Sequence, residues 1–89
     1  MRSPAAVERK FERAFAKLPV SRVHFSPYAV TRWGVMEMRV FFRYRDVDLR
    51  FDWSMDLLHD PLPKVGELRE LVWTDIEDTT ARLRNGFPL

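Results

Sequence analysis

The sequence contains no cysteine. That excludes disulfide staples, thiol nucleophiles and cysteine-ligated zinc, and it points to a reducing, cytoplasmic location. Glycine is scarce, with 3 in 89 residues. Gly34, Gly66 and Gly86 stand apart, each beside a turn or a helix end, so there is no glycine-rich loop to cradle a phosphate. No apolar run approaches the roughly 18 residues that a membrane-spanning helix needs. Glu8, Arg9, Lys10, Glu12 and Arg13 interrupt the N-terminal region and leave no apolar core for a signal peptide. Charge of one sign is also lacking: the net value is +2, which is modest for a uniform polyanion-binding surface.

What is present is a core-forming composition. Hydrophobic residues make up 46% of the chain, including 7 Phe, 3 Trp and 2 Tyr, against 31% charged. This is the balance of a folded chain and not of a disordered one. A length of 89 residues allows one domain, spanning 1–89, with a thin core that buries about 60–65% of the unfolded surface. Arg outnumbers Lys by 12 to 3, which suggests a GC-rich coding genome. Charge divides unevenly along the chain. Residues 1–50 hold 11 basic and 5 acidic side chains, net +6, whereas residues 51–89 hold 4 and 8, net −4.

Two amphipathic helices frame the chain. The first is expected from Pro4 to Lys17, with Ser3 as N-cap and Pro4 at the first helical position, where its missing N–H costs nothing. Val7, Phe11, Ala14, Phe15 and Leu18 recur at helical spacing, and Pro19 ends the run. The second is expected from Gly66 to Arg84, with Leu68, Leu71, Val72, Ile76, Thr79 and Leu83 on one face and Trp73 at its margin. Glu67 and Glu70 near its start and Arg82 and Arg84 near its end complement the helix dipole. Asp78 and Arg82 are spaced for an i,i+4 ion pair. Asn85-Gly86 is a stop signal, with Phe87 placed to fold back on Ala81 and Pro88 barring continuation.

Period-2 alternation fills the middle. Met36, Met38, Val40, Phe42 and Tyr44 alternate with Glu37, Arg39, Phe41 and Arg43. Val47, Leu49, Phe51 and Trp53 then alternate with Asp48, Arg50, Asp52 and Ser54. Pairing Tyr44 with Val47 sets Phe42 against Leu49, Val40 against Phe51 and Met38 against Trp53 on one face. On the other face it sets Arg43 against Asp48 and Arg39 against Asp52. A slip of one residue would mix the two faces, so the register is well specified. Arg45-Asp46 lacks the Gly or Asn that tight turns favour, which leaves a two-residue turn or a four-residue loop in the same register.

A preceding strand, Val23 to Arg32, is expected to turn at Trp33-Gly34 and to pair Arg32 with Val35. Pro27 makes it an edge strand or breaks it. Residues 55–65 read as a long connection with one short helical turn. The expected fold is α+β: a two-layer α-βββ-α sandwich, a three-stranded antiparallel meander with both helices packed on one face. Double-stranded-RNA-binding domains share that element order, but their second helix opens on a basic cluster. Lys64-Val65-Gly66-Glu67 supplies one base and one acid, so the likeness is one of topology.

For catalysis or metal binding, Asp52, Asp56, His59 and Asp60 form the one local grouping. Its spacing matches no defined ligand or catalytic pattern, and Asp56 and Asp60 suit turn initiation. We therefore expect no catalytic residue, no metal and no cofactor. A slab this thin is also expected to lack a ligand pocket of about 300 Å³ or more.

The uncovered sheet face is more informative. The pairing above would expose His24, Ser26, Tyr28, Val30, Arg32, Glu37, Arg39, Phe41, Arg43, Asp48, Arg50 and Asp52 there. Phe41 would sit centrally beside Arg50 and Ser26, with Tyr28 facing Arg39. Aromatic and Arg enrichment marks interfaces, although scattered exposed apolar residues are also ordinary. The expected partner-binding residues are Tyr28, Arg32, Trp33, Arg39, Phe41, Arg43 and Arg50, with Trp33 projecting from a hairpin tip. The leading expectation is a small non-enzymatic protein-binding module, of a size and composition that suit a phage- or mobile-element-encoded inhibitor or regulator of a host protein. Nucleic-acid binding on the same face is a second reading, weakened by Glu37, Asp48 and Asp52. Homodimerisation through the edge strands or the oppositely charged halves is a third. A membrane role is not expected.

Overall fold

The computed structural model describes residues 1–86; the expectations for Phe87 and Pro88 lie outside the described residues. The chain order is α1 (Pro4–Ala16), β1 (Ser21–Phe25), β2 (Ala29–Val30), β3 (Val35–Tyr44), β4 (Val47–Asp56) and α2 (Val65–Arg84). Ser3 caps α1, its Oγ accepting the Ala6 N–H at 3.3 Å. Gly86 takes the left-handed conformation (φ 76°) just past the end of α2, where an L side chain would be strained.

The β3–β4 hairpin is the frame of the molecule. Ten residue pairs run from Tyr44↔Val47 to Val35↔Asp56 without a shift, including every pairing expected from the sequence. The turn is the two-residue form, with Arg45 at φ 56°. Alternation then decides burial. Met36, Met38, Val40 and Phe42 are 0–3% exposed, while Glu37, Arg39 and Phe41 between them are exposed. Both helices cover the buried face. Val7, Phe11, Ala14 and Phe15 from α1 and Leu68, Val72 and Ile76 from α2 join those strand residues, Met55 and Leu57 in one cluster. Rings stitch the layers together. Phe11 meets Trp53 at 5.1 Å and Phe51 at 6.0 Å, and Phe15 meets Phe42 at 5.1 Å and Phe25 at 5.9 Å. Among the described residues no helix is long and apolar enough to cross a membrane.

The meander differs from expectation in its first strand, and the sheet has four strands instead of three. β4 occupies one edge of β3 along its whole length, so β1 and β2 lie end to end along the other. Pro27 falls in the gap between them, where its missing N–H breaks the ladder. The turn into β3 also holds three residues, Arg32-Trp33-Gly34, instead of two. The Thr31 N–H donates to Val35 O at 2.9 Å, Thr31 Oγ1 accepts the Val35 N–H at 3.1 Å, and Gly34 adopts φ 82°. This three-residue loop closing on a left-handed glycine moves the pairing to Ala29↔Glu37 and Val30↔Met36. The gap at Pro27 shifts it again, giving His24↔Phe41 and Phe25↔Val40, and a bulge between Ser21 and His24, with Arg22 at φ 53°, shifts it once more to Ser21↔Arg43.

Three smaller expectations are corrected. β4 continues past Ser54 to Asp56, and the expected short turn follows at residues 57–60, closed by the Asp60 N–H on Asp56 O at 2.9 Å. The buried stripe of α2 is centred on Leu68, Val72 and Ile76 and flanked by Val65 and Trp73, whose ring meets Tyr44 edge-on at 5.7 Å. Leu71 and Leu83, expected on that stripe, are 50% and 38% exposed. Asp78 and Arg82 form no ion pair among the described residues.

This placement separates two leucines three residues apart. Leu68→Ala should cost about 2–5 kcal/mol of stability, and Leu71→Ala less than about 1 kcal/mol. Urea unfolding of the two variants checks this; equal losses would put the wrong side of α2 against the sheet.

Candidate functional site

The face left bare by the helices is built by alternation, from the odd positions of β3 and the even positions of β4. Phe41 lies on β3 with Arg50 opposite on β4 and His24 opposite on β1. It is 41% exposed, and the His24 ring lies 6.5 Å away at a shallow 30°. Around it the charged groups are tied together. Arg43 Nε donates to Asp48 Oδ1 at 3.0 Å. Asp52 Oδ1 lies 3.2 Å from Arg50 Nε and 3.6 Å from Arg39 Nε. Exposed pairs of this kind add only about 0.2–1 kcal/mol each. They pair each of the three arginines that share this face with Phe41 to a carboxylate. The formal charges of Glu37, Arg39, Arg43, Asp48, Arg50 and Asp52 cancel. An open depression of about 520 Å³ borders this surface along the gap between β1 and β2, with Pro27, Ala29, Arg39, Asp52 and Ser54 among its lining. The expectation that the slab lacks such volume is thus not met, although the volume is a groove and not an enclosed pocket.

The seven residues expected to bind a partner fall into three groups. Arg39, Phe41, Arg43 and Arg50 come together as anticipated. Arg32 and Trp33 sit in the three-residue tip, about 20 Å along β3 from Phe41 at the usual strand rise. Trp33 is 67% exposed, with the Arg32 guanidinium 4.3 Å from its ring centroid. The tip is braced from below, because a Cβ on Gly34 would come within 3.1 Å of Leu58 Cγ. Tyr28 lies in the gap between β1 and β2 and is 38% exposed.

The shifted edge register changes several neighbours. Ser26, not Tyr28, lies by Arg39: its N–H and its hydroxyl both donate to Arg39 O, at 3.0 and 3.1 Å. His24, not Ser26, flanks Phe41. Val30 pairs with Met36 and so takes the core-side parity, while Ala29 joins Glu37 on the bare side. Arg32 lies in the loop, outside the ladder. The half-exposed Leu71 on α2 was not anticipated as a surface residue, and the only sequence signal for it is the acidic company of Glu67, Glu70 and Asp75.

The Asp52, Asp56, His59, Asp60 grouping comes apart in space. Asp52 is held by the arginines. Asp56 Oδ1 accepts the N–H groups of Leu58 and His59 at 2.8 and 3.3 Å, and Asp56 Oδ2 lies 2.7 Å from His59 Nδ1. Asp60 Oδ2 accepts the Asp56 N–H at 2.8 Å. These groups build the turn after β4. Among the described residues no three His, Asp or Glu side chains gather as a metal-ligand set. No protein family, curated protein or solved structure matches this chain.

The turn carries a pH signature. The hydrogen bond to Asp56, and then its charge, raise the pKa of His59 above its ordinary value. The same bond, reinforced by the Leu58 N–H, lowers that of Asp56. A raised His contributes stability below its unfolded pKa and loses it as pH rises through the folded one. A lowered Asp contributes above its unfolded pKa and loses it as pH falls through the folded one. The contact is therefore fully formed between about pH 4 and pH 6.5. An NMR titration of the His59 ring should show a raised midpoint that falls toward the ordinary value in Asp56→Asn. An unchanged midpoint would contradict the pairing.

Proposed function

We propose that the chain is a small non-enzymatic protein-binding module that meets its partner with the bare sheet face. Phe41 is the central anchor, and Arg39, Arg43 and Arg50 are the polar contacts around it. The observation that carries this reading is a two-fifths-exposed Phe at the middle of β3, on a face shared with three arginines that are each paired to a carboxylate. Binding loses least entropy where side chains are held in place beforehand. A ring with arginines beside it has the composition of a binding hot spot. Trp33 at the tip supplies a second apolar contact for a partner broad enough to reach it. The cancelling charges of the face weigh against nucleic acid, whose recognition needs a concentrated positive footprint. In a cell, a module of this size suits the role of a phage- or mobile-element-encoded regulator or inhibitor that occludes a surface of a host protein.

Phe41→Ala should leave thermal stability close to wild type and weaken partner binding by about 2 kcal/mol or more. Affinity capture from the native host, followed by titration of the captured protein, measures both wild type and variant. A partner retained equally by wild type and by Phe41→Ala with Arg43→Glu would show that this face is not the site.

A further inference from the structure

A second surface is defined by the backbone of β4. In a hairpin closed by two residues, Tyr44 and Val47 exchange both hydrogen bonds, and bonded pairs alternate from there. Odd residues of β4 therefore bond to β3, and even residues turn their N–H and C=O groups outward. The far end of the strand agrees: the Leu57 N–H donates inward to Gly34 O at 2.8 Å, and the Asp56 N–H is taken on the outer side by Asp60. Among the described residues no strand pairs with this outer edge. Asp48, Arg50, Asp52 and Ser54 present a ladder of donors and acceptors about 20 Å long.

A groove of about 610 Å³ runs beside that edge, between β4 and α2. Its apolar part is Phe51 and the half-exposed Leu71. Its α2 wall is a single helical stripe carrying Glu67, Glu70, Asp75 and Asp78. No base joins the groove lining, and among the described residues none of the four acids is in an ion pair. Partial burial, then the charges of Asp78 and Asp52, raise the pKa of Asp75 above the ordinary carboxylate value against the opposing effect of Arg82.

We infer that the free edge of β4 and the acidic groove beside it form a second docking site, which takes an extended basic segment of a partner protein by strand addition. Backbone bonds to the even residues of β4 supply affinity in any sequence. Specificity comes from alternate side chains of the incoming strand. Those on the helix side meet Phe51 and Leu71 at the centre and the four acids around them, so they are apolar flanked by Lys or Arg. Those on the other side meet Asp48, Arg50 and Asp52 and are polar. A second copy of this chain fits less well. Two-fold pairing of β4 with itself places the two α2 walls side by side, acid against acid, and like charges so placed repel.

The test is an NMR titration of the full chain with a capped eight-residue peptide, Lys-Thr-Val-Thr-Val-Thr-Lys-Thr, to concentrations of about 1 mM or more. Saturable shifts at the amides of residues 48–54 and along the groove side of α2 are expected. They should persist in Phe41→Ala, weaken by about tenfold in Glu70→Lys with Asp75→Lys, and vanish when the edge-facing peptide amides are N-methylated. The chain carrying Leu71→Arg, at a half-exposed position, is a second variant that should fold and lose binding. Absence of shifts at β4, binding indifferent to N-methylation or to charge reversal, or a salt-insensitive dimer with β4 protected would each overturn the proposal.

Discussion

The register of one hairpin sets everything else about this molecule. With Arg45 in the left-handed region and only two residues in the turn, the pairing of β3 with β4 has no freedom. A slip by one residue would push Met36, Met38, Val40 and Phe42 into water and bring charged groups against the helices. The same parity decides which face the helices cover, which face stays bare, and which backbone groups of β4 point away from the sheet. The aromatic contacts of Phe11 and Phe15 with Trp53, Phe51 and Phe42 hold the lid on the covered side. They require those rings on one face and so reinforce the register from above.

What was legible in the sequence follows from how strongly each choice is penalised. Both helices and the hairpin could be read because a wrong period or a slipped pairing has a large burial cost. Arg43 with Asp48 and Arg39 with Asp52 gave an independent check on the bare side. The first strand was less legible because its placement depends on turn chemistry and not on burial. Thr31, using both its N–H and its hydroxyl on Val35, makes a three-residue loop as good as a two-residue one, and period-2 alternation says nothing about which forms. Arg22 in the left-handed region and Pro27 in the gap then let the edge adjust twice. The α2 face was misplaced for a related reason. Leu71 flanks the core stripe on one side and Trp73 on the other, and helical periodicity weights both flanks alike, whereas Leu83 points the same way as Val65 but lies five turns on, at the exposed end of the helix. The Tyr44–Trp73 contact decides between the two flanks, and it depends on where the end of the hairpin lies.

Two surfaces result, with different chemistry. The bare face offers a ring and arginines whose charges are balanced by neighbouring carboxylates; under the proposed reading it meets a folded partner with its own mixed surface. The outer edge of β4 offers backbone groups and an unbalanced acidic wall, so it suits an extended basic segment. The uneven charge of the sequence is thus expressed locally, in the acids of α2, more than as a net field over the sheet. A partner engaging both surfaces would wrap around β4 and gain affinity from each.

Amide hydrogen exchange along β4 tests the hairpin register and the open edge together. The register predicts slow exchange at Leu49, Phe51, Trp53 and Met55, whose N–H groups bond to β3, and fast exchange at Asp48, Arg50, Asp52 and Ser54, whose N–H groups face outward. Protection at the even positions, or uniform protection along the strand, would contradict it.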